Sequence, residues 1–345
     1  MPSEPGLSDP APRPPRAAPR ILESEVAPNE DGQRFDRVAA ARLPRLSRSE
    51  ATRWIAAGLV LLDGRERRPS RRCRAGQRIT IRPVTDTGTP LRRIPGEGDP
   101  IPPEPIPLTV IHEDAWLVVL DKQAGIVVHP GPGHPAGTIA NGLLHRYPEV
   151  GTVGPPGRPG LVHRLDRGTS GLLVAARRES ARLRLAEAFA RREVEKHYLA
   201  LALGRISSAR LLADPIGRDP RQPQRYRCRG QRAKDARSEV WPVEELPLAT
   251  LVRIRLHTGR THQARVHLAG MGHPLAGDAL YGPAAPRRGG GQAGAALRRL
   301  KRPALHAAEI AFVHPGTGEP VRFRSPLSED LEAALRVLRR ATATT

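Results

Sequence analysis

The sequence predicts an α+β protein, in which a small module of two helices and following strands is joined by a proline-rich tether to a larger domain with a mainly antiparallel mixed sheet. Seven prolines lie between positions 87 and 107, a density that excludes a helix or a central strand. Helical periodicity precedes this tether, and short apolar strands with few helices follow it. The expected divisions are a disordered basic arm (1–30), the module (31–86), the linker (87–107), the larger domain (108–335) and a tail (336–345).

The module is predicted to contain two short helices followed by a small sheet. Ser47 and Glu50 have the spacing of a capping box that opens the second helix, which ends before Gly58. Asp63-Gly64 is a typical tight-turn pair between strands. The apolar positions that define these elements are Phe35, Val38 and Ala39, then Ala51, Trp54 and Ile55, then Leu59–Leu62, and finally Ile79 and Ile81.

The larger domain is predicted to consist mainly of strands. In its last strand, Val252 and Ile254 alternate with Arg253 and Arg255, so one face is expected to be buried and the other basic. Ser180–Arg192 has the clearest helical pattern of this half. The predicted strands are Trp116–Leu120, Leu172–Ala175, Tyr198–Leu203 and Leu251–Leu256.

The composition indicates a polyanionic partner. The chain carries 56 lysines and arginines against 35 acidic residues, a formal net charge of +21. Because the planar fork of arginine suits phosphate contacts and base stacking, nucleic acid is favoured over a membrane surface. No apolar run approaches the roughly 20 residues that cross a bilayer. Two cysteines are too few for a disulfide framework, and the histidine spacings match no standard metal site, so we expect a cytoplasmic protein without a metal.

The most informative stretch is Leu161–Val174, in which one aspartate lies between two arginines in a polar turn ahead of an apolar strand. Asp166 is flanked by Arg164 and Arg167, and the glycines at 168 and 171 permit backbone conformations that other residues resist. A carboxylate presented in this way can be reactive. It can equally belong to a solvated ion pair on a surface turn, and the stretch alone leaves both interpretations open.

The run HRLDRGTSGLLV resembles the active-site motif of the RluA family of RNA pseudouridine synthases. This resemblance implies that Asp166 is the catalytic residue of a reaction that needs no cofactor. In that reaction a uridine is flipped out, its ribose C1′–N1 bond breaks, and the uracil is rejoined through C5. The carboxylate would act as a nucleophile or as the electrostatic partner of an oxocarbenium-like ribose, and the sequence leaves this choice open.

Two further segments resemble motifs of the same family. Thr258–His267 is similar to the motif whose arginine pairs with the catalytic aspartate, which implies that role for Arg265. Glu193–Ala200 is similar to the segment whose tyrosine contacts the target base, which implies a catalytic role for Tyr198. The resemblance further implies substrate contacts by Arg164, Lys196, Arg260, His262 and Gln263, with Arg164 either bracing the gap left by the flipped nucleotide or only assisting the aspartate.

The segments RFDRVAA, LSRSEATRWIAAGLVLLDG and AGQRITI resemble, in this order, an S4 RNA-binding domain. Between Arg34 and Asp86 the chain has 14 arginines and five acidic residues, a net charge of +9. A module this small and this basic is expected to bind RNA, although a basic surface with no specific partner is the open alternative. The expected RNA contacts are Arg45, Arg48, Arg53, Arg71 and Arg72.

Departures from the family pattern are few. Gln123 stands in Asp121–Pro130 where the family usually has proline, and Ala264 stands where a larger aliphatic residue is usual. Gly272–Gly282 also matches the family and is expected to be scaffold.

These observations predict a monomeric enzyme that converts uridine to pseudouridine in large-subunit ribosomal RNA. Two other interpretations remain open. One is an S4-bearing ribosome-assembly factor with an inactive synthase domain. The other is a carboxylate-based nucleoside hydrolase, which would release free uracil and would have little need of so large a positive charge.

Overall fold

The computed structural model describes residues 20–42, 48–56, 58–84, 101–131, 134–155, 157–222, 224–283 and 290–342. The chain divides into two compact units between Asp99 and Pro100. The helices of the described residues are α1 (Phe35–Arg42), α2 (Arg48–Ala56), α3 (Ile139–Arg146), α4 (Glu179–Arg191), α5 (Gln263–Gly270), α6 (Gly291–Arg299) and α7 (Glu329–Thr342). The strands are β1 (Arg20–Glu25), β2 (Val60–Leu62), β3 (Arg78–Val84), β4 (Thr109–Glu113), β5 (Leu117–Lys122), β6 (Ser170–Ala176), β7 (Glu195–Leu203), β8 (Arg210–Leu212), β9 (Ile216–Arg218), β10 (Tyr226–Cys228), β11 (Gln231–Lys234), β12 (Ser238–Leu246), β13 (Ala249–Leu256), β14 (Leu305–Val313) and β15 (Pro320–Arg324).

The first unit packs α1 and α2 on a three-stranded sheet of order β1-β3-β2. Phe35, Trp54 and Ile79 are buried in one apolar cluster between these layers. The Asp63-Gly64 turn has positive φ at both residues, 52° and 70°, the conformation of a tight turn after a strand, and β2 pairs antiparallel with β3. The predicted helices, turn and strand pair are therefore present, while Ser47 of the predicted capping box lies outside the described residues.

The predicted arm at 1–30 is wrong from residue 20 onward. β1 pairs antiparallel with β3, and Val26 is buried in the core of the module. Residues 1–19 lie outside the described part of the chain. The error has a physical cause: the Pro- and Arg-rich composition of the first 20 residues does not continue into RILESE, and this segment becomes an edge strand only by pairing with the distant β3.

The predicted linker at 87–107 ends too late, because its last residues belong to the second unit. The Asn141 side chain on α3 donates hydrogen bonds to the Pro102 carbonyl (2.9 Å) and to the Glu104 carboxylate (2.8 Å). The Glu104 amide donates in turn to the Asn141 carbonyl at 3.1 Å. Polar anchoring of this kind allows a proline-rich segment to pack without regular secondary structure.

The second unit is built on a nine-stranded sheet of order β4-β5-β6-β14-β7-β13-β12-β8, with β15 added beside β14. Its one parallel pair is β6 with β14, so the described sheet is the mainly antiparallel mixed sheet that the sequence predicted. A second, three-stranded sheet of order β10-β9-β11 contacts α5. In β13, Val252 and Ile254 are buried and Arg253 is exposed, which confirms the predicted alternation.

The parallel pair fixes the start of β6, directly after the Asp166 turn. Gly171 pairs with Ala307 of β14 and has φ +104°, and a Cβ atom built on it would lie 2.3 Å from the Ala307 carbonyl oxygen. Only glycine permits both this backbone conformation and this approach. The turn is thereby held against the centre of the sheet.

The predicted tail at 336–345 is wrong over most of its length, because α7 continues to Thr342. Leu335 and Leu338 on this helix are buried against α6 and the sheet. The neighbouring helix α6 begins at Gly291, directly after a glycine in the left-handed region, Gly290. Both helices bury their apolar faces against each other, which neither composition nor glycine content reveals.

We predict that Gly171→Ala lowers the free energy of unfolding by about 2 kcal/mol or more, because the added methyl group meets the Ala307 carbonyl and the residue keeps an unfavourable φ. Gly318→Ala is the matched control, since Gly318 has φ +80° and a methyl group added there would meet no atom within 4 Å. Its cost should be about 1 kcal/mol. Thermal and denaturant unfolding measure both, and equal losses would contradict the argument from close approach.

Candidate active site

The turn that carries Asp166 is anchored by its neighbours on both sides. The His163 ring stacks on Phe189 of α4 with centroids 4.7 Å apart, and its Nε2 accepts a hydrogen bond from the Val174 amide of β6 at 2.9 Å. Leu165 is buried in the central core. Since alternate residues point inward, Arg164 and Asp166 project from the opposite side of the turn. The Asp166 side chain keeps 21% of its surface exposed.

Asp166 lies where two cavities meet. The smaller, of about 100 Å³, is also lined by Tyr198, Arg260 and His262. The larger, of about 440 Å³, extends to the other side of the turn, over Arg167 and Gly168. The carboxylate therefore lies inside a cleft, and the alternative of a solvated ion pair on a surface turn does not describe it.

A buried arginine faces this carboxylate. Arg265 on α5 is 8% exposed, and its Nη1 lies 3.6 Å from Asp166 Oδ2. The other edge of the guanidinium donates two hydrogen bonds to the fully buried Asp278, at 2.7 and 2.9 Å. The cation also lies over the Tyr281 ring, 4.9 Å from its centroid. Arg265 is thus held mainly by Asp278 and presents its remaining edge to Asp166.

Asp278 and Tyr281 belong to Gly272–Gly282, the segment that the sequence predicts to be scaffold. Asp278 also accepts a hydrogen bond from the Leu280 amide at 3.1 Å, so its carboxylate is fixed in a turn. The segment therefore reaches the site, because it orients the arginine that pairs with Asp166. The signal available in the sequence was an acidic residue inside a glycine-bounded turn, but nothing local connects it to Arg265.

Tyr198 lies on β7 with its side chain 8% exposed and lining the smaller cavity. Burial first, and then the charge of Asp166, raise the pKa of its hydroxyl well above the usual range, so the phenol stays protonated. Among the described residues, no group hydrogen-bonds to this hydroxyl. The ring and its O–H are therefore available to a ligand in that cavity.

His262 connects Tyr281 to Asp166. Its Nδ1 lies 2.7 Å from the Tyr281 hydroxyl, which accepts a hydrogen bond from the Tyr226 amide. Burial is the main cause that raises the pKa of Tyr281 to about 12, so its O–H donates to His262 Nδ1. Burial lowers the pKa of His262, which leaves the neutral ring with its proton on Nε2, 3.9 Å from Asp166 Oδ1.

Two of the predicted substrate contacts, Gln263 and Lys196, have partners within the fold, and of the two only Gln263 lines the smaller cavity. The Gln263 side chain donates to the Arg237 carbonyl and Ser238 Oγ and accepts from Thr258 Oγ1 and the Arg260 amide, so its hydrogen-bonding capacity is used within the fold. It organises the turn before α5. Lys196 lines neither cavity near Asp166; its ammonium lies over the Phe189 ring at 5.5 Å, and burial lowers its pKa.

Arg164 and Arg260 are brought to the site. Arg164 is exposed and lines both cavities. Arg260 lines the smaller cavity, while its Nε donates to the Asp235 carbonyl at 2.9 Å.

Two further cationic side chains, Lys122 and Arg302, contact main-chain carbonyls of the Asp166 turn. The sequence did not predict these contacts. The buried Lys122 ammonium donates to the carbonyls of Gln123 and Ile126 and lies 3.4 Å from that of Arg167. Burial lowers its pKa to about 8. Arg302 donates to the Gly168 carbonyl at 3.0 Å. These contacts join segments 45 and 134 residues apart, which explains why local sequence patterns did not predict them.

Comparison with known proteins places this geometry in a family. Residues 116–270 match the family described as RNA pseudouridylate synthase, and residues 33–79 match the S4 domain. The chain is 39% identical over 325 residues to ribosomal large subunit pseudouridine synthase D of Xanthomonas campestris, covering 94% of each protein. The chain belongs to the RNA pseudouridylate synthase family.

Other relatives agree with this assignment. The Escherichia coli K12 protein named ribosomal large subunit pseudouridine synthase D is 35% identical over 321 residues, 92% of this chain and 94% of that one. The solved structure of human RNA pseudouridylate synthase domain containing 1 covers 71% of this synthase with a TM-score of 0.53 and 26% identity, and this synthase covers 98% of that chain.

The arginines predicted to bind RNA in the S4 domain differ in exposure and in their partners within the domain. Arg71 and Arg72 are exposed and line a cavity of about 410 Å³, although Arg72 also donates to the Gly32 carbonyl. Arg48 is paired with the buried Asp36 at 3.1 Å, so part of its charge is used within the domain. Arg45, and the side chain of Arg53, lie outside the described residues.

Two absences apply to the described ranges alone. No helix there has both the length and the apolar composition needed to cross a bilayer. Likewise, no three histidine, cysteine, aspartate or glutamate side chains in these ranges are grouped so that they could hold a metal ion.

We predict that Asp278→Asn lowers the free energy of unfolding by about 3 kcal/mol, because it leaves the buried Arg265 without its main counter-charge. Glu244→Gln is the control: Glu244 also accepts a forked pair of hydrogen bonds, from Arg339 Nε to Oε1 and from Nη2 to Oε2, but both groups are partly exposed. Its loss should stay below about 1 kcal/mol. Chemical denaturation checks both variants, and similar losses would show that the Asp278 pair has no special weight.

Proposed function

We propose that this synthase converts specific uridines of large-subunit ribosomal RNA to pseudouridine, with Asp166 as the catalytic carboxylate. The observation that carries the proposal is the position of Asp166 at the junction of two cavities, 3.6 Å from the Arg265 guanidinium and beside Tyr198. The reaction breaks the C1′–N1 bond of uridine, turns the uracil and forms the C1′–C5 bond. The C5 proton is lost and N1 gains one, so the atoms balance without a cofactor.

Asp166 would act on the ribose carbon. An ionised carboxylate can attack C1′ or stabilise positive charge on it, and both roles require that the negative charge survive inside the cleft. The Arg265 guanidinium lies 3.6 Å from one carboxylate oxygen of Asp166, and His262 Nε2 lies 3.9 Å from the other. Because Arg265 is already neutralised by Asp278, it supports Asp166 without forming a tight pair that would block attack.

Tyr198 would bind the uracil. The smaller cavity places its ring on the same side of the turn as the Asp166 carboxylate. A base stacked on an aromatic ring gains roughly 1–3 kcal/mol, and the protonated phenol can relay a proton while C5 exchanges its hydrogen. Arg260 and His262 complete the rim of this cavity.

Arg164 would act before the chemistry. A paired or stacked uridine must leave its helix to reach a cavity of this kind, at a cost of a few kcal/mol. Arg164 is exposed at the mouth of both cavities, two residues from the aspartate, and its planar guanidinium can stack in the place that the base has left.

The choice of RNA rests on the relatives and on charge. Those of Xanthomonas and Escherichia are named for the large ribosomal subunit, and this synthase matches them over almost its whole length. Its S4 domain and its net charge of +21 suit a folded polyanion, and such RNA would place the enzyme in the cytoplasm. We propose that it acts as a monomer.

We predict that Asp166→Asn lowers the rate of pseudouridine formation by at least about three orders of magnitude, because the amide can neither attack nor stabilise C1′. RNA affinity should change by less than about threefold, since binding depends on other residues. Transcribed large-subunit rRNA fragments, assayed for pseudouridine and for binding, test both expectations.

Glu319→Gln, in the exposed hairpin between β14 and β15, is the control for loss of one carboxylate and should keep the native rate. Unimpaired turnover by Asp166→Asn would refute the assignment of the residue. If the unaltered protein binds the fragments but forms no pseudouridine, the ribosome-assembly interpretation replaces the enzyme; release of free uracil would indicate a hydrolase.

We also predict that the logarithm of the RNA association constant falls linearly with the logarithm of the salt concentration, since phosphate contacts release counterions. Replacing both Arg71 and Arg72 by glutamine should make the slope shallower by about 1.5, from roughly 0.7–0.9 per lost contact. Arg191→Gln, on the exposed face of α4, should leave it unchanged. A titration with the same slope for all three proteins would exclude this face of the S4 domain from the interface.

A further inference from the structure

The larger cavity beside Asp166 has an excess of positive charge. Its charged lining residues are Arg164, Arg167 and Arg265 together with the single carboxylate of Asp166. Arg265 is neutralised by Asp278, whereas neither Arg164 nor Arg167 has a carboxylate partner within 4 Å among the described residues. The charged groups around this cavity therefore leave an excess of positive charge, which suits an anion.

A histidine on the same wall lacks a hydrogen bond. His129 lines the cavity, and its buried Nδ1 has no hydrogen-bond partner on any other described residue. Such orphaned groups are rare in folded proteins, because each costs free energy until a partner is supplied. Burial first, and then the charges of Arg164 and Arg158, lower the pKa of His129, so the ring is neutral in the free protein.

Local contacts hold the remaining polar groups toward the cavity. The Arg167 Nε donates to the Gly125 carbonyl at 2.9 Å, and its Nη1 lies 3.5 Å from His134 Nε2. His134 in turn closes a small loop with Gly131 through two backbone hydrogen bonds of 2.9 and 3.0 Å. The arginine is therefore oriented before any ligand arrives, which lowers the entropy that binding must remove.

We propose that this cavity is a phosphate subsite, in which Arg164, Arg167, His129 and His134 bind a phosphodiester group that flanks the flipped uridine. The proposal rests on the proposed function, because it takes the ribose of that uridine to lie at Asp166. With the uracil in the smaller cavity beside Tyr198, the backbone leaves the ribose on the opposite side of the carboxylate. The larger cavity opens there.

The chemistry of the lining favours a phosphate over a second base. No tyrosine, tryptophan or phenylalanine among the described residues lines the larger cavity, so a neighbouring base would find no such ring to stack on. Arginine forks and imidazole N–H groups are the donors that suit phosphate oxygens. The subsite would thus select for a uridine embedded in a chain over the free nucleoside.

The test is a binding comparison that needs no turnover. Uridine 3′,5′-bisphosphate and uridine are titrated separately into the full-length protein, and dissociation constants are obtained by NMR or calorimetry. We expect the bisphosphate to bind at least about tenfold more tightly, since one charge-assisted hydrogen bond can supply a factor of that size. The same titrations with uridine 3′-monophosphate and 5′-monophosphate assign the preference to one flanking phosphate.

The variants His129→Leu and Arg164→Gln should each reduce the preference for the bisphosphate to about threefold or less, with little change in the affinity for uridine. Arg164 is exposed, so its variant is expected to fold even if His129→Leu does not. The matched controls are His145→Leu and Arg191→Gln, two exposed residues that line neither cavity, and both should keep the native ratio.

Two results would overturn the proposal: equal affinities of the native protein for the bisphosphate and uridine, or a preference that survives in both cavity variants. The latter would place the phosphate elsewhere and leave Arg164 to act only on helical RNA. Failure of the proposed function is a separate result, since it appears as absence of pseudouridine in rRNA fragments whatever the ratio of the two affinities.

Discussion

The buried ion pair between Asp278 and Arg265 is the interaction on which the site depends. Asp278 is fully buried and Arg265 nearly so, and two short hydrogen bonds fix the guanidinium. A buried arginine without this partner would be too costly to keep in place. Because Asp278 and Asp166 are separate residues, the Arg265 guanidinium is already held 3.6 Å from the Asp166 carboxylate in the free protein. This is preorganisation, in which charges are oriented during folding and not during the reaction.

The same principle applies to the backbone of the Asp166 turn. Lys122 and Arg302 direct their charges at main-chain carbonyls on one side of the turn, and Gly171 allows its other end to lie against β14. His163 and Leu165 anchor the turn in two different apolar clusters. The backbone of this polar turn is therefore fixed although it has no regular secondary structure. A fixed backbone keeps the Asp166 carboxylate in one position in the cleft.

The parts of the fold that could be predicted from sequence are those with strong local signals. The Asp63-Gly64 turn and the alternating β13 follow from residue type and period alone. The helix α7 was missed although Leu331, Leu335 and Leu338 have helical spacing, because the prediction ended the domain inside it. β1 was missed for a different reason: its pairing partner β3 is distant in the chain, with Glu25 opposite Arg78.

The candidate site divides in the same way. Motif resemblance led to Asp166, Tyr198 and Arg265, which the structure brings together. It also led to Lys196, which lies on the same strand face as Tyr198 but two residues along, a displacement of about 6.8 Å that places it over α4 instead of the cavity. Residues of one motif are close in the sequence, but a strand extends beyond the cavity, so only some of them line it.

At the cleft the excess of positive charge comes from arginines that have no carboxylate partner among the described residues. Many arginines of the second unit face carboxylates in surface pairs, and such pairs contribute little to affinity for a polyanion because their field is cancelled locally. The two arginines beside Asp166 lack such partners among the described residues, and the acid of that cavity already faces Arg265. A net charge of +21 can attract RNA from a distance, but it does not determine which part of the surface the phosphate backbone contacts. A local scarcity of carboxylates can do so, and among the described residues it occurs at the cavity beside Asp166.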